Sequence, residues 1–125
     1  MDLVTQATIG AAFALCVAPK HLTVRAAITG ALAGIAPDAD TLLGSGSNPL
    51  DTLEVHRHFT HSLAFIPFGA SLVTLVLWLA SLRRWSWHSI WWFALLAYST
   101  HGVLDACTSF GTHLLWPFSN ERTAW

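Results

Sequence analysis

Three histidines stand within six residues, at His56, His58 and His61, with Arg57 between the first two. Imidazoles at this density offer nitrogen ligands to a transition metal, and the neighbouring guanidinium suits a phosphate or carboxylate. Further on, His101 and Asp105 are spaced i, i+4, so a helix presents both on one face about one turn apart. Asp38 and Asp40 sit in a Pro-Asp-Ala-Asp run and offer hard oxygen ligands able to bridge two ions. Each motif also has a plainer reading. The stretch from His56 to Ser62 can be a solvated loop, with Thr60 or Ser62 capping the next helix. His101 and Asp105 can be a buried pair that only ties helices together, and taken alone the two readings weigh equally. Asp38 and Asp40 can be an ordinary helix exit, because Asp is favoured in turns.

The composition says what must carry these residues. Of 125 residues, 54% are hydrophobic and only 10% are charged, and seven are Trp. Mean hydropathy is +0.51. An average soluble domain has roughly 25% charged residues, so this chain lacks the polar shell that a free soluble protein needs. High hydrophobicity also excludes disorder. A net charge of −1 leaves no basic surplus for a nucleic acid. Cys16 and Cys107 are too few for a disulfide framework and read as small hydrophobes. Asp2 is the only early charge, which does not fit a signal peptide. The expectation is an all-α, polytopic membrane protein of one domain with about four transmembrane or partly crossing helices.

Residues 62–82 run without a charge and span about 31 Å as a helix, the thickness of the hydrocarbon core. Pro67 and Gly69 are expected to kink this helix. Arg83 and Arg84 close it, and Trp85 and Trp87 follow as interfacial aromatics. Residues 88–107 form a second span, apolar at first and then carrying His101 and Asp105. Residues 3–19 and 24–36 read as a helical hairpin, in which Gly10, Gly30 and Gly34 allow close packing. The second of these segments is short for a full crossing. Residues 37–60 form a polar loop marked by Pro37, Gly44, Gly46 and Pro49. The tail from Thr108, with Trp116 and Phe118, is expected at the membrane interface.

Four crossings place the turns holding Lys20, Arg25, Arg83 and Arg84 on one side, against Arg57 and Arg122 on the other. The positive-inside rule makes the first side cytoplasmic and puts both termini and the long loop outside. In an up-and-down bundle Asp38 and Asp40, His56 and His61, and His101 and Asp105 then converge toward one membrane face. Gln6, Thr60, Thr100 and Thr108 are candidates to hydrogen-bond such ligands from behind. His21 and His88 fall on the other face, outside the site.

Together these motifs resemble the YdjM-like family of membrane-bound, metal-dependent hydrolases. The matching pieces are Leu3 to Ala7, Pro37-Asp38-Ala39-Asp40, His56-Arg57 with Thr60-His61-Ser62, His101, and Leu104-Asp105. The runs Thr108 to Thr112 and Leu115 to Ser119 belong to the same resemblance. The His-Arg-x-x-Thr-His-Ser and Asp-x-x-Thr-Ser-x-Gly-Thr pieces are specific, whereas Pro-Asp-x-Asp alone is not. His58 stands where the family usually has Gly. Family members often continue with further membrane helices, so residues 1–125 read either as a minimal member or as the N-terminal part of a longer architecture.

The expected activity is metal-dependent hydrolysis at the membrane surface, on a phosphoester or another amphiphile that reaches the site laterally. One or two divalent ions, Zn²⁺ or Mn²⁺, would be held by some of Asp38, Asp40, His56, His61, His101 and Asp105. Asp38 is the choice for general base and Arg57 for neutralising a phosphate. The expected place is the cell's inner membrane, with the site on its non-cytoplasmic side and membrane lipid as the immediate partner. A metal-ion transporter would need polar groups along its whole path, and a non-catalytic scaffold would need more cytoplasmic surface than these short turns offer.

Overall fold

A computed structural model describes residues 2–42, 60–108, 111–119 and 121–124. The described residues form four α-helices and no extended strand: α1 (Leu3–Val17), α2 (Thr23–Ile35), α3 (Ile66–Ala80) and α4 (Trp87–Ala106). Asp2 starts α1 by accepting a hydrogen bond from the Thr5 backbone N–H at 2.9 Å. Pro19 cannot continue that helix, and the chain turns through residues 20–22 into α2. Beyond α2 a 3₁₀ segment covers residues 36–42, and another at 63–65 leads into α3.

The helices lie where the hydropathy pattern places them: α1 and α3 are shorter than expected, while α2 and α4 keep their expected lengths, shifted by one residue. At 15 and 13 residues, α1 and α2 fall below the roughly 20 of a full crossing. Among the described residues, Leu63–Ala80 is the one helical stretch both long and apolar enough to cross a membrane, with hydropathy 2.1 over 18 residues. α4 has 20 residues, the length of a crossing, but its histidines and Asp105 dilute its apolar character. Pro67, expected to kink α3, does not interrupt it, for a local reason. α3 begins at Ile66, so Pro67 occupies the first turn, where its missing N–H costs nothing.

α4 is the central helix and packs against α1, α2 and α3. α1 and α2 meet along a seam of small residues. A Cβ at Gly10 would run into the carbonyl of Gly30, and one at Gly34 into the carbonyl of Gln6. Ala33, Ala70, Ala94 and Ala97 fill one part of the interior, while Ala14, Ala26 and Phe93 fill another. The polar residues lie inside as well: Gln6, Thr29, Thr74, His101 and Asp105 are fully buried. Large apolar side chains face outward instead, among them Val4, Phe68, Leu72 and Val76 at 58–75% exposure. This reverses the distribution of a soluble domain and suits a hydrocarbon surrounding.

The two helical turns meet at one end of the bundle. The Arg25 guanidinium lies 5.7 Å from the Trp85 ring centroid and that of Arg83 4.8 Å from Trp78. The tail departs from a purely interfacial placement. Thr112 is fully buried and Leu114 nearly so, and the Leu114 carbonyl accepts from the Leu63 N–H at 3.0 Å. Thr112 and Thr123 pair in an antiparallel bridge. Part of the tail therefore packs on the segment that enters α3, while Phe118 stays 90% exposed.

Candidate metal centre

At the end opposite the arginine–tryptophan contacts, Asp38, His61, His101 and Asp105 come together, each offering a ligand atom within 4.8 Å of the others. They arrive from three elements. Asp38 lies on the 3₁₀ segment after α2, His61 just before the segment that enters α3, and His101 and Asp105 one turn apart on α4. His61, His101 and Asp105 side chains are fully buried, and that of Asp38 is 15% exposed.

The donor spacings carry the chemistry. His61 Nε2 and His101 Nε2 are 3.0 Å apart. Asp38 Oδ1 lies 3.5 Å from His61 Nε2 and 3.3 Å from His101 Nε2. Asp105 Oδ2 lies 3.5 and 3.6 Å from the same two nitrogens. A tetrahedral Zn²⁺ with bonds of about 2.0–2.1 Å keeps its ligands roughly 3.3–3.4 Å apart, and the five observed distances bracket that value.

Tautomers agree with this geometry. His101 Nδ1 meets the Gly34 carbonyl, which can only accept, so Nδ1 carries the proton and neutral Nε2 presents a lone pair. His61 Nδ1 contacts the Thr60 hydroxyl at 3.0 Å, leaving its Nε2 toward the cluster. Two lone-pair nitrogens at 3.0 Å repel unless a cation or a proton lies between them. Partial burial pushes the Asp38 carboxyl up; when His101 and His61 are protonated and no metal is bound, their hydrogen bonds and charge outweigh it and hold Asp38 well below the usual carboxylate range.

Two of the four expected supporting residues reach the ligands. Gln6 is fully buried, and its Nε2 donates to Asp105 Oδ1 at 3.1 Å, turning Oδ2 to the histidines. Thr60 touches His61, as above. Thr100 instead returns its hydroxyl proton to the Ala97 carbonyl. Thr108 donates to the backbone carbonyl of Asp105, not to its carboxylate. The expected cap before α3 is also absent, for Ser62 makes no side-chain cap bond to the 63–65 segment.

Of the six ligands expected from the sequence, the structure brings together Asp38, His61, His101 and Asp105. His56, Arg57 and the side chain of Asp40 lie outside the described residues, as does His58. His88 is the second residue of α4, 13 residues before His101 and so about 20 Å along the helix. His21 lies in the turn before α2. Neither shares the cluster.

Two positioning groups were not marked as such by the sequence reading. The Gly34 carbonyl orients His101, and Gly102 lets the backbone of His61 lie directly against α4, since a Cβ there would strike the His61 carbonyl. Tyr98 adds an anchor by donating to the Thr60 carbonyl at 3.1 Å. A glycine beside a ligand inside a long helix is the one local signal for such a close pass.

Residues 1–125, the whole chain, match the family described as YdjM inner membrane protein. The chain belongs to that family. It is 30% identical over 125 aligned residues to inner membrane protein YbcI of Escherichia coli (strain K12), covering 96% of this chain and 69% of that protein. It is 31% identical over 107 residues to YfhP of Bacillus subtilis (strain 168), covering 86% of this chain but 31% of the Bacillus protein. No solved structure matches. The family's description places the YdjM fold in the inner membrane, in keeping with the outward apolar surface. Its name carries no activity.

Proposed function

We propose that this chain is a metal-dependent hydrolase of the inner membrane, acting on a phosphoester borne by a lipid or similar amphiphile. The donor spacing in the Asp38, His61, His101 and Asp105 cluster carries this reading. Bound there, Zn²⁺ or Mn²⁺ would polarise a phosphoryl oxygen and ease deprotonation of water. His61, His101 and Asp105 are the fixed ligands, since Thr60, the Gly34 carbonyl and Gln6 hold them from behind. Asp38 alone of the four has side-chain exposure, so it is the carboxylate that water reaches. It would take the proton of the attacking water as the phosphorus–oxygen bond to the leaving group breaks, and would return that proton to the departing alkoxide. Arg57 is assigned to the phosphate charge that grows in the transition state. Leu3, Val4, Leu63 and Phe68 are exposed around this end and suit an approach from lipid.

The test pairs metal content with turnover in detergent-purified protein across a phosphoester panel. Asp38→Asn should keep most of its metal while turnover falls about 10²–10⁴-fold, the usual worth of a general base. Arg57→Ala should keep its metal and lose most activity, and Arg57→Lys should recover only part, because an ammonium lacks the bidentate fork. Undiminished turnover in Asp38→Asn removes Asp38 as base. A metal-loaded wild type that cleaves no phosphoester removes the hydrolase reading and leaves the metal centre standing.

Sidedness follows from the Lys/Arg distribution. The end with Lys20, Arg25, Arg83 and Arg84 is assigned to the cytoplasm and the metal cluster to the opposite face. Single cysteines at Ser47 and Ser86, in a background lacking Cys16 and Cys107, report this with a membrane-impermeant thiol reagent. Position 47 should label in intact cells and 86 only after lysis. The reverse pattern inverts the orientation.

A further inference from the structure

The end of the bundle away from the metal cluster holds a second set of features that the hydrolase reading does not use. An open-sided groove of about 430 Å³, within the roughly 300–1,000 Å³ of ligand clefts, runs between the end of α1 and the outer face of α4. Its walls are mostly apolar: Val17, Leu22, Trp92, Phe93 and Leu96. Polar groups gather at one end only. His88 and Ser89 line it there, and Lys20 stands between two further lining residues, Pro19 and Leu22. The indole N–H of Trp92 donates to His88 Nε2 at 3.0 Å. An indole cannot accept, so a neutral His88 carries its proton on Nδ1 and remains a donor.

Charge is one-sided here. Lys20, Arg25, Arg83 and Arg84 all belong to this end, and no acidic residue occurs between Asp2 and Asp38 or between Glu54 and Asp105. Nothing within the turns neutralises these cations. Two of the guanidiniums rest on tryptophan faces, which fixes their positions without cancelling their charge. An apolar trough with donors and uncompensated cations at one end is complementary to an anionic amphiphile.

We infer that this groove is a binding site for an anionic phospholipid, whose acyl chain lies along Leu22, Trp92 and Leu96 and whose phosphate meets Lys20, His88 and Ser89. The site is separate from the metal cluster, by about 20 Å along α4 from His88 to His101. It stands whether or not the cluster performs hydrolysis.

Phosphatidylglycerol and phosphatidylcholine with brominated acyl chains, titrated into detergent-purified protein, test the site through quenching of tryptophan emission. Quenching by phosphatidylglycerol should saturate at about tenfold lower concentration than by phosphatidylcholine, given the usual attraction of a basic cluster for anionic lipid. Trp92→Phe should remove most of that saturable component, because Trp92 forms the groove wall. Lys20→Gln combined with Arg25→Gln should bring phosphatidylglycerol to the phosphatidylcholine level without changing the latter. Leu96→Phe should weaken both lipids by filling the groove. Equal behaviour of the two lipids in the wild type overturns the proposal. So does a phosphatidylglycerol preference that survives in the double variant, or displacement of the lipid by millimolar inorganic phosphate.

Discussion

His101→Ala, His61→Ala and Asp105→Ala should each strip the protein of its metal. Wild-type protein purified in detergent should hold one zinc per chain at the Asp38, His61, His101 and Asp105 cluster, and each variant close to none. The affinity loss should exceed about 100-fold, because even residues that only support a ligand are worth 10–100-fold. No described neighbour can take over, since each ligand is fixed from its own element: α4 for His101 and Asp105, the entry to α3 for His61. His21→Ala and His88→Ala should retain full occupancy. Thermal unfolding gives an independent reading. Zinc at 100 times its dissociation constant should stabilise the wild type by about 2.7 kcal/mol, and the three variants not at all. Equal metal content in all five variants would mean that His61, His101 and Asp105 do not form the site.

Gly102→Ala is expected to reach the same centre without touching a ligand. In a helix interior, glycine to alanine ordinarily stabilises by roughly 0.5–1 kcal/mol. Here the new Cβ meets the backbone carbonyl of His61, which is not a flexible end that can swing aside. Overpacking of this kind costs about 1–3 kcal/mol, so the clash outweighs the propensity gain and the 60–62 segment lifts off α4. His61 moves with it. Zinc affinity should fall about 10–100-fold, the range for a disturbed supporting contact, while helix content by circular dichroism stays unchanged. Retained affinity together with raised stability would show that the segment yields without moving its imidazole.

The legible part of this molecule lies in its local patterns. Uncharged runs mark α3 and most of α4, and the small residues Gly10, Gly30 and Gly34 mark the seam of α1 and α2. The i, i+4 spacing of His101 and Asp105 places both on one face of α4, as helix geometry requires. Asp38 and His61 could be gathered with them only by assuming an up-and-down bundle, and the fold supplies that arrangement. What escaped is what depends on pairs remote in sequence. Gly102 beside His101 signals a close backbone pass, but nothing near it says that His61 makes that pass. Nothing near Leu114 announces that its carbonyl receives the Leu63 N–H, so the tail read as interfacial. Pro67 misled for the opposite reason, because its effect turns on whether the helix begins one residue before it or several.

The central position of α4 also bears on how the protein is made. It is the last of the four helices to leave the ribosome, and among the helices it alone carries a carboxylate, Asp105, on its buried face. Asp105 lies one residue from the end of α4, where an aspartate opposes membrane insertion by less than the roughly 2.5–3.5 kcal/mol of a helix centre. Its partners have all been synthesised by then: Gln6 on α1, Asp38 after α2 and His61 before α3. The chain thus delays the helix with the buried carboxylate until the groups that surround that carboxylate have been made.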